Sequence, residues 1–210
     1  MAVYVGGGVL MLYRMSFLVW WRDGVLTMVN HWVQEARHVP SPNYNERPDG
    51  AVVDLIVVHN ISLPPGQFGG PYIDDFFQNQ LSIEADPFFA EIKDLQVSAH
   101  FLIRRDGALH QYVGCDKRAW HAGASSWCGR EQCNDFSIGI ELEGTDTTPF
   151  TTAQYQQLAA LIQLLRQEYP SIQADRIVGH EDIAPGRKTD PGPCFDWALL
   201  QEYLAEEHIV

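Results

Sequence analysis

The stretch VVDLIVVHN, residues 52–60, decides the fold. From Val52 to Val58 it is a nearly continuous β-branched run of strand length, the pattern of a strand covered on both faces. His59 follows at the C-terminal end of that strand, where mixed and parallel sheets gather their ligands. A second stretch, FSIGIELE (136–143), alternates instead. It places Ile138, Ile140 and Leu142 on one face and Gly139, Glu141 and Glu143 on the other, so one face is core and the other carries acids.

Outward from these two strands the pattern continues as strands mixed with helices. Ser98 to Ile103 and Ala108 to Val113 flank Asp106-Gly107 and read as a hairpin on a two-residue turn. Pro71 can open a short helix at its first position. Thr151 and Gln154 form a capping box ahead of a helix to Glu168, in which Leu158, Leu161, Ile162 and Leu165 repeat at helical spacing. Arg176 to Gly179 reads as a short strand delivering His180, and Phe195 to Glu206 as a final amphipathic helix. Residues 31–50 read as an irregular lead-in over the surface and residues 116–135 as a loop. The fold class is α/β (α+β), a mixed central β-sheet flanked by helices in a single domain.

The chain has 210 residues, enough for one domain with a terminal extension. Hydrophobic residues at 46% and charged residues at 20% are globular values and argue against a multi-span membrane protein. A formal charge of -13 excludes nucleic acid as a natural partner, because that affinity rests on Lys and Arg neutralising phosphates. Cys115, Cys128, Cys133 and Cys194 match neither a CxxC pair nor a dense disulfide framework, so they are read as reduced thiols without chemistry.

Residues 1–28 read as an N-terminal extension, with the domain proper over 29–210. Arg14 interrupts the apolar run, no small-residue cleavage site follows it, and the run falls short of the ~20 residues a membrane span needs. The plain reading is a start at Met28, with a membrane-surface anchor as the alternative. The expected location is the cytoplasm, with no stable membrane association, and the expected state is a monomer.

A catalytic zinc takes three protein ligands and leaves a fourth position open. His59, His180 and Asp190 can supply that set, since His180 and Asp190 flank a Gly/Pro loop that can bend back. Lys188 lies two residues before Asp190 and in extended backbone would point the same way. With eight histidines in 210 residues such a triple also arises by chance. Zinc lowers the pKa of water toward ~7, but a base must still carry a proton to the leaving amine. Glu141 is the candidate base with Glu143 as its rival, and Lys188 would stabilise a developing oxyanion.

Six motifs in order carry a resemblance: VVHNISLPPGQFGGP (57–71), DPFFAEI (86–92), VSAHFLIRRDG (97–107), DKRAWHAG (116–123), CNDFSIGIELEGTD (133–146) and GHEDIAPGRKTDPGP (179–193). They resemble the 1,6-anhydro-N-acetylmuramyl-L-alanine amidases of the AmpD type, within the N-acetylmuramoyl-L-alanine amidase family that is related to phage amidases and peptidoglycan recognition proteins. The resemblance implies a zinc ion in a surface groove on His59, His180 and Asp190, with Glu141 as general base and Lys188 as transition-state stabiliser. It implies an anhydro-muramyl peptide as substrate, cut between the lactyl group and L-alanine during peptidoglycan recycling.

Asn60, Trp120 and His121 are candidate substrate contacts, Trp120 by its aromatic face and the other two by hydrogen bonds. His100 reads as structural. Gln96 and Gln132 stand where close relatives would carry a basic residue, which leaves open how peptide carboxylates are held. Two other classes remain in view. A binding module on the same fold would not need all five catalytic positions, and a zinc peptidase would more often carry HExxH, which is absent.

Overall fold

The structure is a computed structural model that describes residues 26–205. Its central sheet has six strands: β1 (Arg37–His38), β2 (Leu55–Ile61), β3 (Phe101–Ile103), β4 (Leu109–Gln111), β5 (Ser137–Glu143) and β6 (Ile177–Gly179). Across the sheet they run in the order β6-β2-β5-β3-β4-β1. β6, β2, β5 and β3 are parallel, β4 returns antiparallel to β3, and β1 pairs parallel with β4. This is the mixed sheet that the sequence predicts.

Helices cover both faces. α1 (Tyr72–Phe77), α2 (Phe89–Ile92) and α4 (His180–Ile183) are short, while α3 (Thr152–Glu168) and α5 (Trp197–Ala205) are the long ones. Ile56 and Val58 of β2 and Ile138, Ile140 and Leu142 of β5 pack with Leu158, Leu161, Ile162 and Leu165 of α3 and Leu200 of α5. Those four α3 side chains are fully buried, and each contributes about 1.5–3 kcal/mol by leaving water. The opposite face is filled near β6 and β2 by Ala122, Cys133, Phe136 and Ile183, and beside β3 by Phe76, Phe77 and Phe89. The acids of β5 stand on this second face, and all seven β5 residues are buried.

α3 starts where its capping box predicts: Thr151 Oγ1 accepts from Gln154 N, and Thr151 N donates to Gln154 Oε1. Other boundaries move. β2 begins at Leu55 rather than Val52 and runs through His59 to Ile61, because it pairs residue for residue with β5 from Leu55↔Ser137 to Ile61↔Glu143. His59 therefore sits inside the strand. Pro71 caps α1 instead of occupying its first turn, and the last helix runs over Trp197–Ala205 in the described residues.

The hairpin forms, but its turn differs from the expected two-residue one. Gly107 N donates to Arg104 O, so Arg105 and Asp106 occupy the corners and Gly107 follows with φ 86. An Asp-Gly turn would need Asp106 left-handed as well as Gly107, and only Gly107 is.

Neither segment read as irregular is wholly so. Within residues 31–50, β1 joins the central sheet, Trp32–Val33 pairs with Met28–Val29, and Tyr44–Glu46 pairs with Lys117–Ala119. The buried Gln111 side chain ties this lead-in down, accepting from Val33 N and donating to His31 O. Within residues 116–135, Ser126–Trp127 and Arg130–Glu131 form a small ribbon and Cys133–Asp135 a 3-10 turn. Period-based reading misses strands of two or three residues because they are too short to show alternation.

The boundary drawn at residue 28 falls mostly outside the described residues. Leu26 and Met28, which are described, pack against the α3 side of the core, and Thr27 bonds Glu35 through N and Oγ1.

Candidate metal centre and active site

His59 and Glu141 are register partners on the adjacent parallel strands β2 and β5, so their side chains leave the sheet side by side on the face away from α3. His180 arrives from the neighbouring edge strand β6. It is the first residue of α4, whose start is closed by Asp182 Oδ2 accepting from Gly179 N at 2.7 Å. The following loop bends back as expected: Gly186 takes φ 75, and Glu181 N donates to Asp190 O at 2.9 Å. Sequence-distant groups are thereby brought to one point.

At that point three ligand atoms form a triangle. His59 Nδ1 lies 2.9 Å from His180 Nδ1 and 3.1 Å from Asp190 Oδ2, and His180 Nδ1 lies 3.0 Å from Asp190 Oδ2. Tetrahedral zinc with bonds of about 2.0–2.2 Å separates its ligand atoms by about 3.3–3.6 Å, so a slight spreading of this triangle admits the ion. Burial drives the His59 ring down to about 4, which leaves it neutral and able to coordinate. Asp190 Oδ2 stands within 3.1 Å of both Nδ1 atoms and completes the set. Two imidazoles and one carboxylate are a donor set suited to zinc.

Glu141 stands beside this triangle with 9% of its surface exposed and its Oε2 buried without a hydrogen-bond partner among the described residues. Burial, reinforced by the negative charge of Asp190, pushes its pKa well above the usual value, while Lys188 pulls the other way. Glu143, the rival base, is committed elsewhere. Its Oε1 accepts from Gly69 N at 2.6 Å and from Arg104 Nη1 at 3.1 Å, and its Oε2 accepts from Arg105 N. Lys188 is exposed, and its ammonium has no ion pair among the described residues.

The other predicted contacts are less free than expected. Asn60 Nδ2 donates to Asp146 Oδ1 at 2.7 Å and to the Pro191 carbonyl, and Trp120 Nε1 donates to Asn45 Oδ1 at 2.7 Å, leaving its half-buried ring face. His121 has both ring nitrogens engaged, one on His59 Nε2 and one on Ser137 Oγ. Its ring fills the room above Gly139, where a Cβ would come within 2.4 Å of it. His100 is structural, accepting from Gly139 N through Nδ1. Gln132 borders a cavity of about 530 Å³ together with Arg187, Ile183 and Ala184, whereas Gln96 is exposed away from it. All four cysteines are free thiols, and burial pushes Cys115 and Cys133 up, which makes them poor nucleophiles.

Sequence reasoning missed Asn134 and Ser137, which brace the loop bearing His121. Asn134 Oδ1 accepts from His121 N at 3.1 Å and Ala122 N at 2.8 Å. An Asn and a Ser in a strand lead-in carry no motif.

The sequence profile of the N-acetylmuramoyl-L-alanine amidase family matches residues 49–193. The 1,6-anhydro-N-acetylmuramyl-L-alanine amidase AmpD of Salmonella typhimurium is 63% identical over 174 residues, 83% of this chain and 92% of that protein. The crystal structure of a selenomethionine derivative of AmpD superposes with a TM-score of 0.83 at 60% identity, over 85% of this chain and 99% of that one. The amidase AmiD from Escherichia coli, solved with anhydro-N-acetylmuramic acid-L-Ala-D-gamma-Glu-L-Lys, superposes with a TM-score of 0.54 at 32% identity, over 76% of this chain and 61% of that one. By sequence and by fold, this chain is an enzyme of the N-acetylmuramoyl-L-alanine amidase family.

Proposed function

We propose that this enzyme hydrolyses the amide between the lactyl group of 1,6-anhydro-N-acetylmuramic acid and L-alanine in cell-wall turnover peptides, and that it depends on zinc. The observation that carries the reading is the convergence of His59 Nδ1, His180 Nδ1 and Asp190 Oδ2 beside the unpartnered carboxyl of Glu141. The substrate class is supported by the AmpD relatives, which bear that activity in their names, and by the muramyl peptide bound in the AmiD structure.

Bound by His59, His180 and Asp190, zinc would supply a Lewis acid that polarises the lactyl carbonyl and acidifies water. Glu141 takes a proton from the water as its oxygen bonds to the carbonyl carbon. It then gives that proton to the alanine nitrogen as the C–N bond breaks, leaving a lactyl carboxylic acid and a free amine. A carboxyl raised by burial is a stronger base than a free one, which suits a group that must both accept and return a proton. Lys188, which has no ion pair among the described residues, offers its ammonium to the oxyanion. Asn60, which bonds the carbonyl of Pro191 beside Asp190, and Trp120, with its half-buried ring face, are candidates for holding sugar and peptide. The enzyme acts as a monomer on soluble fragments in the cytoplasm; none of the described helices is long and apolar enough to cross a membrane.

The test is to incubate the purified protein with anhydro-muramyl tripeptide, with and without a chelator, and to identify the products by mass spectrometry. Chelator-sensitive release of tripeptide and anhydro sugar is expected. A folded, zinc-loaded protein that binds the tripeptide and leaves it intact would be a binding module, and release that survives chelation would remove zinc from the mechanism.

A further inference from the structure

The triangle uses one nitrogen from each histidine ring; the other nitrogen of both rings is engaged by two consecutive residues of a single loop. His180 Nε2 lies 3.1 Å from the Ala122 carbonyl oxygen. That oxygen can only accept, and the one donor near the same nitrogen, Arg187 Nη2, stands farther off at 3.5 Å and bonds the Ala122 carbonyl itself at 2.6 Å, so His180 carries a proton on Nε2. His59 Nε2 lies 2.9 Å from His121 Nδ1, where either ring could donate.

The next link removes the ambiguity. His121 Nε2 lies 3.2 Å from Ser137 Oγ, and Ser137 Oγ lies 2.6 Å from the Cys133 carbonyl. A hydroxyl has one proton, and only the hydroxyl can fill the contact with the carbonyl, so Ser137 accepts from His121 Nε2–H. The His121 ring is packed against His59 and His100 and bonds only His59 and Ser137, with no carboxylate among its partners in the described residues to balance a second ring proton. Its Nδ1 is therefore a lone pair, and His59 Nε2 is the donor to it.

We propose that the His121–Ala122 step, held by Asn134 and Ser137, is the positioning device that keeps both metal-site histidines protonated on Nε2 and so makes Nδ1 the ligand atom in each. The inference rests on the metal reading of the triangle and adds residues that hold the ligand rings from behind. Asn134, buried at 6% exposure, pins the backbone of both loop residues through one side-chain oxygen. Arg187 Nη2 donates to the same Ala122 carbonyl at 2.6 Å and keeps it aimed. Gly139 lets the His121 ring lie against β5. Such outer contacts on a ligating histidine fix its tautomer and orientation.

The deciding measurement is a long-range proton–nitrogen NMR spectrum of the histidine rings in the ¹⁵N-labelled, metal-free full chain at pH 8. His59, His121 and His180 are expected to carry a proton on Nε2; a neutral His59 with its proton on Nδ1 overturns the proposal. A second arm measures zinc affinity by chelator competition. Ser137→Ala and His121→Ala should weaken it about 10–100-fold. His121→Asn, whose Oδ1 can still accept from His59 Nε2–H, should stay close to the parent protein. Folded Ser137→Ala and His121→Ala variants that bind zinc like the parent also overturn it. A parent protein that binds no zinc would sink the metal reading instead, while the metal-free spectrum still decides the tautomers.

Discussion

Glu141 and Glu143 leave the same strand on the same face, one pleat apart, and meet opposite surroundings. Around Glu143 the charges close on one another. Arg104 bonds Glu143 through Nη1 and reaches Asp74 through Nη2 at 3.3 Å, and Asp74 accepts from His110 Nδ1 at 3.0 Å and Tyr112 Oη at 2.5 Å. Around Glu141 the valences stay open, with one carboxyl oxygen buried and unbonded among the described residues and three ligand atoms converging beside it. Both regions pay for desolvating charge, but only the first recovers the cost through internal hydrogen bonds. A satisfied buried cluster serves the fold; an unsatisfied one is held ready for something else.

The largest effect should come from Asp190→Ala, which removes the anionic ligand. Zinc content should fall to background and hydrolysis should drop on the order of 10³-fold or more. Elemental analysis beside a turnover assay checks this, and a variant that kept both would merge the two regions into one class. Glu141→Gln should retain zinc while kcat falls about 10²–10⁴-fold. Full turnover in that variant would hand the base role to another group.

Arg104→Met should act the other way, destabilising the protein by about 3–5 kcal/mol because buried Glu143 loses its ion pair and buried Asp74 keeps only the exposed Arg37 at 3.8 Å. Its zinc content should not change. Urea denaturation with metal analysis would reveal a loss of zinc, which would mean that the closed network also supports the centre.

The smallest effect concerns stability. The folded-state pKa of Glu141 lies above its unfolded value, so its ionisation opposes folding increasingly as pH rises from the unfolded pKa of about 4.3 toward the folded one. Glu141→Gln should therefore stabilise the metal-free protein by about 1 kcal/mol or more near pH 8 and hardly at all near pH 4.5. Calorimetry at both pH values tests the sign, and an equal gain at both would place the strain elsewhere.

The closed and open regions were not equally legible in the sequence. His59, His180, Asp190 and Glu141 could be named because chemistry restricts which residue types ligate zinc or move protons, and because alternation put Glu141 on a definite face. Alternation alone could not rank Glu141 over Glu143, since that choice depends on Arg104 and the Gly69 amide, which approach from other elements. The long helix α3 was readable to the residue from its capping box. The strands Arg37–His38 and Lys117–Ala119 were not, because so short a segment is defined by its partner and not by its own pattern. His121 was legible as a residue near the metal, but its bond to Ser137 depends on the fold bringing a loop over β5.

Gly139 offers a dial to anyone who would re-engineer this enzyme. Because a methyl group there would collide with the His121 ring, one added carbon becomes a wedge two contacts removed from the His59–His180–Asp190 triangle. Metal retention could be tuned by the size of that wedge without editing a ligand, the base or the pocket.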